Sequence, residues 1–121
     1  MSKTLLIVDD STVMRMTVSS ILKMTGYEVI EAENGQVALD KAKRTPVDLI
    51  ICDVNMPIMD GLTFARLIKK EAQYRFVPII MLTTVTGQLE MEAGKAAGVK
   101  AWMVKPFDRD KLLGAVEKLL M

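Results

Sequence analysis

Four short apolar runs recur along the chain, and each stops abruptly on a polar residue. Leu5 to Val8 leads into Asp9-Asp10, Leu49 to Cys52 into Asp53, Ile79 to Leu82 into Thr83, and Ala101 to Val104 into Lys105. Continuous runs of this length are the mark of strands buried on both faces. With a further segment at Glu28 to Ala32, they predict strands near 5–8, 28–32, 48–52, 78–82 and 101–104. Between them the apolar positions change to helical spacing. The first helix spans about residues 12–25, with Met14, Val18, Ile21 and Leu22 on one face, and stops at Gly26. A second follows the Asn34-Gly35 turn to about Arg44, ahead of Pro46. A third runs from about Leu62 to Glu71 behind an Asp60 cap. The fourth covers about Gln88 to Ala97, with Leu89, Ala93, Ala96 and Ala97 buried. The last, about Asp108 to Leu120, carries Leu112, Leu113, Val116, Leu119 and Leu120 at helical spacing.

Five βα units with short connections predict a doubly wound α/β domain, a parallel sheet covered by helices on both faces. Right-handed crossovers leave few topologies and require a switch point, but periodicity leaves the strand order open. Ligands of such sheets gather at the carboxyl ends of the strands. Asp9, Asp10, Asp53, Thr83 and Lys105 all fall there. Each has a plainer explanation singly: the first two as helix caps, Thr83 as a loop hydroxyl, Lys105 as a solvated lysine. Their joint placement is harder to attribute to accident.

Composition narrows the chemistry. The 121 residues suffice for one domain with a real core. Half are hydrophobic and the net charge is +1 without a Lys/Arg-rich run. Disorder, nucleic acid and an anionic membrane are thereby disfavoured. The apolar runs are too short to span a bilayer, and the start of the chain leads into a strand rather than a signal peptide. Cys52 is alone, which excludes an internal disulfide, fits a reducing cytoplasm, and reads as a small buried hydrophobe. The ten methionines sit mostly on core faces. Histidine is absent, and with it imidazole metal sites, histidine bases and His-centred triads. Clustered carboxylates repel unless protonated or bridged by a cation, and an oxygen-only donor set favours a hard divalent ion such as Mg²⁺. An aspartate can attack phosphorus to give an acyl phosphate. The Lys105 ammonium, the Thr83 hydroxyl and a cation would then stabilise charge on the phosphoryl oxygens.

Read in order, Leu5-Leu6-Ile7-Val8-Asp9-Asp10-Ser11, Asp53-Val54-Asn55-Met56-Pro57, Met59-Asp60-Gly61, Thr83 and Lys105-Pro106-Phe107 resemble the receiver domain of bacterial two-component response regulators, of the stand-alone chemotaxis type. The likeness spans the whole chain. It implies a flavodoxin-like five-stranded sheet of order 2-1-3-4-5 with five helices. It implies Asp53 as the phosphoacceptor, charged from a phosphohistidine on a sensor histidine kinase, with Lys105 contacting the phosphoryl group. Asp10, Asp53 and the backbone carbonyl of Asn55 would hold Mg²⁺, Asp9 would act through a metal-bound water, and the Lys105–Pro106 bond would be cis. In the family the threonine at Thr83 moves toward the phosphoryl group while an aromatic residue of the fifth strand turns inward. That position carries Trp102, where tyrosine or phenylalanine is more usual; the plainer reading is a packing residue. Gly94 either loosens the fourth helix, at about 1 kcal/mol relative to alanine, or admits a close neighbour. Asn55 and Val85 stand where side chains can help or hinder an attacking water.

The fifth helix ends where the chain ends. The resemblance thus implies a single receiver over residues 1–121 without an output domain, monomeric and cytoplasmic. It would catalyse only its own phosphorylation and dephosphorylation. Signalling would pass through the fourth helix, fifth strand and fifth helix, where Met91 and Lys95 lie off the buried face. A chemotaxis histidine kinase and a flagellar motor switch protein are the leading partners, although a phosphorelay intermediate or phosphate sink uses the same chemistry. Two other classes share parts of the pattern. A flavodoxin-like cofactor carrier should offer backbone N–H groups and hydroxyls after the first strand, where Asp9-Asp10 would repel phosphate. A small aspartyl-phosphate phosphatase of the haloacid-dehalogenase kind places its nucleophile in an Asp-x-Asp motif after that strand, which is absent here.

Overall fold

Alternation along buried strands assigns each helix to a side of the sheet. The computed structural model describes residues 2–121. In β1 (Thr4–Val8) and β3 (Leu49–Cys52), Leu5, Ile7, Leu49 and Ile51 join one core with Ile80 and Leu82 of β4 (Ile79–Thr83). That core is closed by Val18 and Leu22 of α1 (Thr12–Met24) and by Leu112 and Val116 of α5 (Arg109–Leu119). The interleaved residues Leu6, Val8, Ile50, Cys52, Ile79 and Met81 form the opposite core. There they meet Ala38, Leu39 and Ala42 of α2 (Gly35–Arg44) and Phe64, Ala65 and Ile68 of α3 (Gly61–Ile68). The sheet is wholly parallel, in the order β2-β1-β3-β4-β5, with β2 at Glu28–Ala32 and β5 at Ala101–Val104. The chain therefore reverses direction across the sheet at β1 and β3, whose carboxyl ends open onto a crevice. No helix among the described residues is long and apolar enough to cross a membrane.

Local chemistry sets the helix starts. Ser11, Asn34, Asp60 and Asp108 each accept a backbone N–H of the first turn of the helix that follows. Gly26 and Gly98 take φ of 98° and 97° beyond α1 and α4 (Gln88–Ala96), a region that suits glycine.

Two expectations need correction. The third helix does not reach Glu71; it stops at Ile68 and gives way to a 3-10 turn at Ala72–Tyr74. The cause is Tyr74, whose buried hydroxyl donates 2.6 Å to the Ala42 carbonyl, lies 3.2 Å from that of Thr45, and accepts the Val47 N–H. Lys69 ties the same turn by donating to the carbonyls of Tyr74 and Arg75. The fourth helix keeps only part of the expected buried face, with Ala97 buried and Ala93 half-buried. Leu89 is 80% exposed and Ala96 is exposed too, whereas Gly94 is buried. Gly94 lies five positions beyond Leu89, so at 3.6 residues per turn they sit roughly 140° apart around the helix. Alanine and glycine mark a face weakly, and a leucine was the wrong guide to it.

Candidate functional site

The last rungs of the sheet gather the polar strand ends. The Asp53 N–H donates to the carbonyl of Val8, that of Asp9 to Ala32, and that of Lys105 to Thr83. Residues far apart in sequence thus emerge side by side at the crevice. Asp9, Asp10 and Asp53 each present a carboxylate oxygen, all within 4.8 Å of one another. Lys105 Nζ donates 2.7 Å to Asp9 Oδ2 and 2.9 Å to Asp53 Oδ2. Burial alone would lower the lysine's pKa; its bonds to Asp9 and Asp53 and their charges outweigh that, and the net shift is upward.

The second oxygen of each bridged aspartate is also held. Asp9 Oδ1 accepts the Ser11 N–H at 2.9 Å and Asp53 Oδ1 accepts the Val54 N–H at 2.7 Å. Asp10 differs: it is exposed, and its carboxylate accepts no hydrogen bond among the described residues. Three carboxylates against one ammonium leave two negative charges uncompensated, on oxygen donors with no imidazole nearby. That balance and donor set fit a small divalent cation. Gly61 makes room behind the site, because a Cβ there would collide with the Asp53 carbonyl at 1.9 Å. Asn55 is exposed on the loop after Asp53, and the Lys105–Pro106 peptide is cis.

Thr83 is fully buried at the end of β4, and its hydroxyl accepts the Val85 N–H at 3.2 Å. The carbonyl of Val85 in turn accepts the indole N–H of Trp102 at 2.8 Å. One residue is therefore gripped at both ends by Thr83 and Trp102. The indole lies over Gly94, where a Cβ would come within 2.8 Å of the ring. A glycine in α4 thus makes space for a side chain larger than tyrosine. Trp102 also lines a furrow of about 520 Å³ between α4 and β5, with Thr86, Met91 and Lys95.

Sequence reasoning missed Arg15. Its guanidinium donates 2.7 Å to the Asp9 carbonyl and pairs with Glu31 at 3.4 Å. The available signal was its position, a cation near the start of a helix, where the dipole disfavours one.

A five-stranded parallel sheet of this order, with acidic residues, a threonine and a lysine at its carboxyl edge, defines a receiver domain. The chain belongs to the response regulator receiver domain family, which matches residues 5–117. It is 43% identical to the chemotaxis protein CheY of Bacillus subtilis over 99% of both chains. The crystal structure of chemotaxis protein CheY4 from Vibrio cholerae superposes with a TM-score of 0.95 at 43% identity, covering 99% of this chain and 100% of that one. The receiver domain of a sensor histidine kinase from Pseudomonas aeruginosa, solved with magnesium in its active-site cleft, superposes with a TM-score of 0.91 at 30% identity. The match covers 99% of this chain and 98% of that one.

Proposed function

We propose that this chain is a single-domain switch of chemotaxis signalling, with Asp53 as its phosphoacceptor. The observation that carries the reading is the Asp53 carboxylate, held 2.9 Å from Lys105 beside two further carboxylates at a parallel-sheet crevice. A carboxylate oxygen of Asp53 attacks phosphorus as the P–N bond of a donor phosphohistidine breaks, its electron pair staying on the imidazole. This chain has no histidine, so the phosphohistidine lies on another protein, a sensor histidine kinase in this reading. Asp10, Asp53 and the Asn55 carbonyl would hold Mg²⁺, with Asp9 acting through water, and the bound ion would neutralise charge shared between carboxylates and phosphoryl oxygens. Lys105 moves its ammonium from carboxylate to phosphoryl oxygen. Thr83 gives up the Val85 N–H to donate there, and Val85 passes the change to Trp102. The α4, β5 and α5 surface beside that furrow then binds a downstream protein, foremost the flagellar motor switch. The chemistry stays confined to the protein's own phosphorylation and dephosphorylation.

Intact-mass analysis after acetyl phosphate tests this directly. Wild type should gain one phosphoryl group in Mg²⁺ and none in EDTA, and Asp53→Asn should gain none in either. Phosphorylation of Asp53→Asn equal to wild type would remove Asp53 from its role.

A further inference from the structure

Arg15 occupies a position that helix energetics disfavour. It lies in the opening stretch of α1, near the positive end of the helix, and no acidic residue of the first turn offsets it. Nor is it a solvated surface arginine, for its side chain is only 16% exposed. Its Nη1 donates 2.7 Å to the backbone carbonyl of Asp9, while Nε lies 3.4 Å from Oε1 of Glu31 on β2.

That carbonyl belongs to the peptide joining Asp9 to Asp10, and the two residues are held very differently. Both side-chain oxygens of Asp9 are engaged, by Ser11 and Lys105, and its N–H donates to Ala32. Asp10 has no such anchors among the described residues, so the backbone alone sets where its carboxylate starts from. The plane of the preceding peptide is the controlling element. A charge-assisted hydrogen bond from a rigid, planar guanidinium fixes that plane.

We propose that Arg15 is a positioning residue for the cation site: by holding the Asp9–Asp10 peptide it aims Asp10 at the metal, and Glu31 acts through Arg15. The inference rests on the reading of Asp9, Asp10 and Asp53 as a Mg²⁺ site. Outer residues that orient ligands commonly change metal affinity by about 10–100-fold when removed. The competing role, a plain counter-charge, has the opposite sign. Deleting a positive charge beside three carboxylates strengthens their pull on a cation, whereas deleting a positioning residue weakens binding.

Calorimetric titration of Mg²⁺ into the full chain separates the two, with the melting temperature in EDTA as a control on folding. Arg15→Met keeps the apolar stem and loses charge and donors; its Mg²⁺ affinity should fall about tenfold. Arg15→Lys keeps the charge but cannot reach the carbonyl and Glu31 in one planar fork, and should lose part of that affinity. Glu31→Gln should weaken binding in the wild-type background and leave Arg15→Met unchanged, as expected of a residue that works only through Arg15. Equal or tighter binding by Arg15→Met overturns the inference. Should that variant not fold, unaltered binding by Arg15→Lys overturns it equally. A folded wild type that takes up no Mg²⁺ overturns the cation site itself, and this role with it.

Discussion

Lys105 bridges two aspartates with one ammonium, and the bridge has a defined pH window. Its pKa lies above the ordinary 10.5, so the stabilisation it provides is complete below that value and is lost only as pH climbs through the raised one. Cys52 adds an alkaline sensitivity of its own. Burial, then the charges of Asp53, Asp9 and Asp60, push its thiol well above 9.0. The unfolded chain ionises there first, so stability should fall as pH rises past 9.0, and Cys52→Ala should flatten that fall in urea titrations run at successive pH values. Ile58 is an opposite case, a branched residue 83% exposed at φ 71°, where the Met59 N–H donates back to the Pro57 carbonyl. Such a residue is strained at positive φ. Ile58→Asn should gain about 1 kcal/mol of stability, read as a later urea midpoint; an earlier midpoint would show that the isoleucine makes compensating contacts.

Among the elements, α3 and α4 show what the apolar pattern conveys and what it hides. Four of the strands were legible because each is a short apolar run closed by a polar residue, and the places of Asp53, Thr83 and Lys105 at their ends were legible for the same reason; β2, with two glutamates in its run, was the weaker signal. Tyr74 was not, since nothing in a polar stretch announces that one hydroxyl will bind three backbone groups across another loop. Tyr74→Phe leaves those groups unpaired and should cost about 1–3 kcal/mol in chemical denaturation. The α4 face was misjudged at Leu89 and Ala96 because Gly94 carries no hydrophobic signal, whereas Ala97 is buried as expected. Gly94→Ala pits propensity against sterics: alanine favours the helix by about 1 kcal/mol, yet its Cβ would meet an indole that is tethered to Val85. Overpacking typically costs about 1–3 kcal/mol, so the variant should melt lower and its tryptophan emission should shift. Arg15 and the Val85 link were invisible because both work through backbone N–H and carbonyl groups, which a residue pattern does not display.

At the scale of the molecule, the crevice and the furrow beside α4 are joined through Thr83, Val85 and Trp102. As the sole tryptophan, Trp102 makes that connection measurable. Mg²⁺ with beryllofluoride should change its fluorescence in wild type and far less in Thr83→Ala; an identical response in both would cut Thr83 out of the path. The strand order itself could not be read from periodicity, which leaves the order of five short strands degenerate; the family resemblance supplied it. Gly94 is the residue by which α4 is buried, and the rest of that helix faces outward or half outward. Its outer side chains can therefore be exchanged almost wholesale without disturbing the aspartates at the crevice. The outward side of α4 and the acidic crevice are thus built from separate residues, so that either can be altered without touching the other.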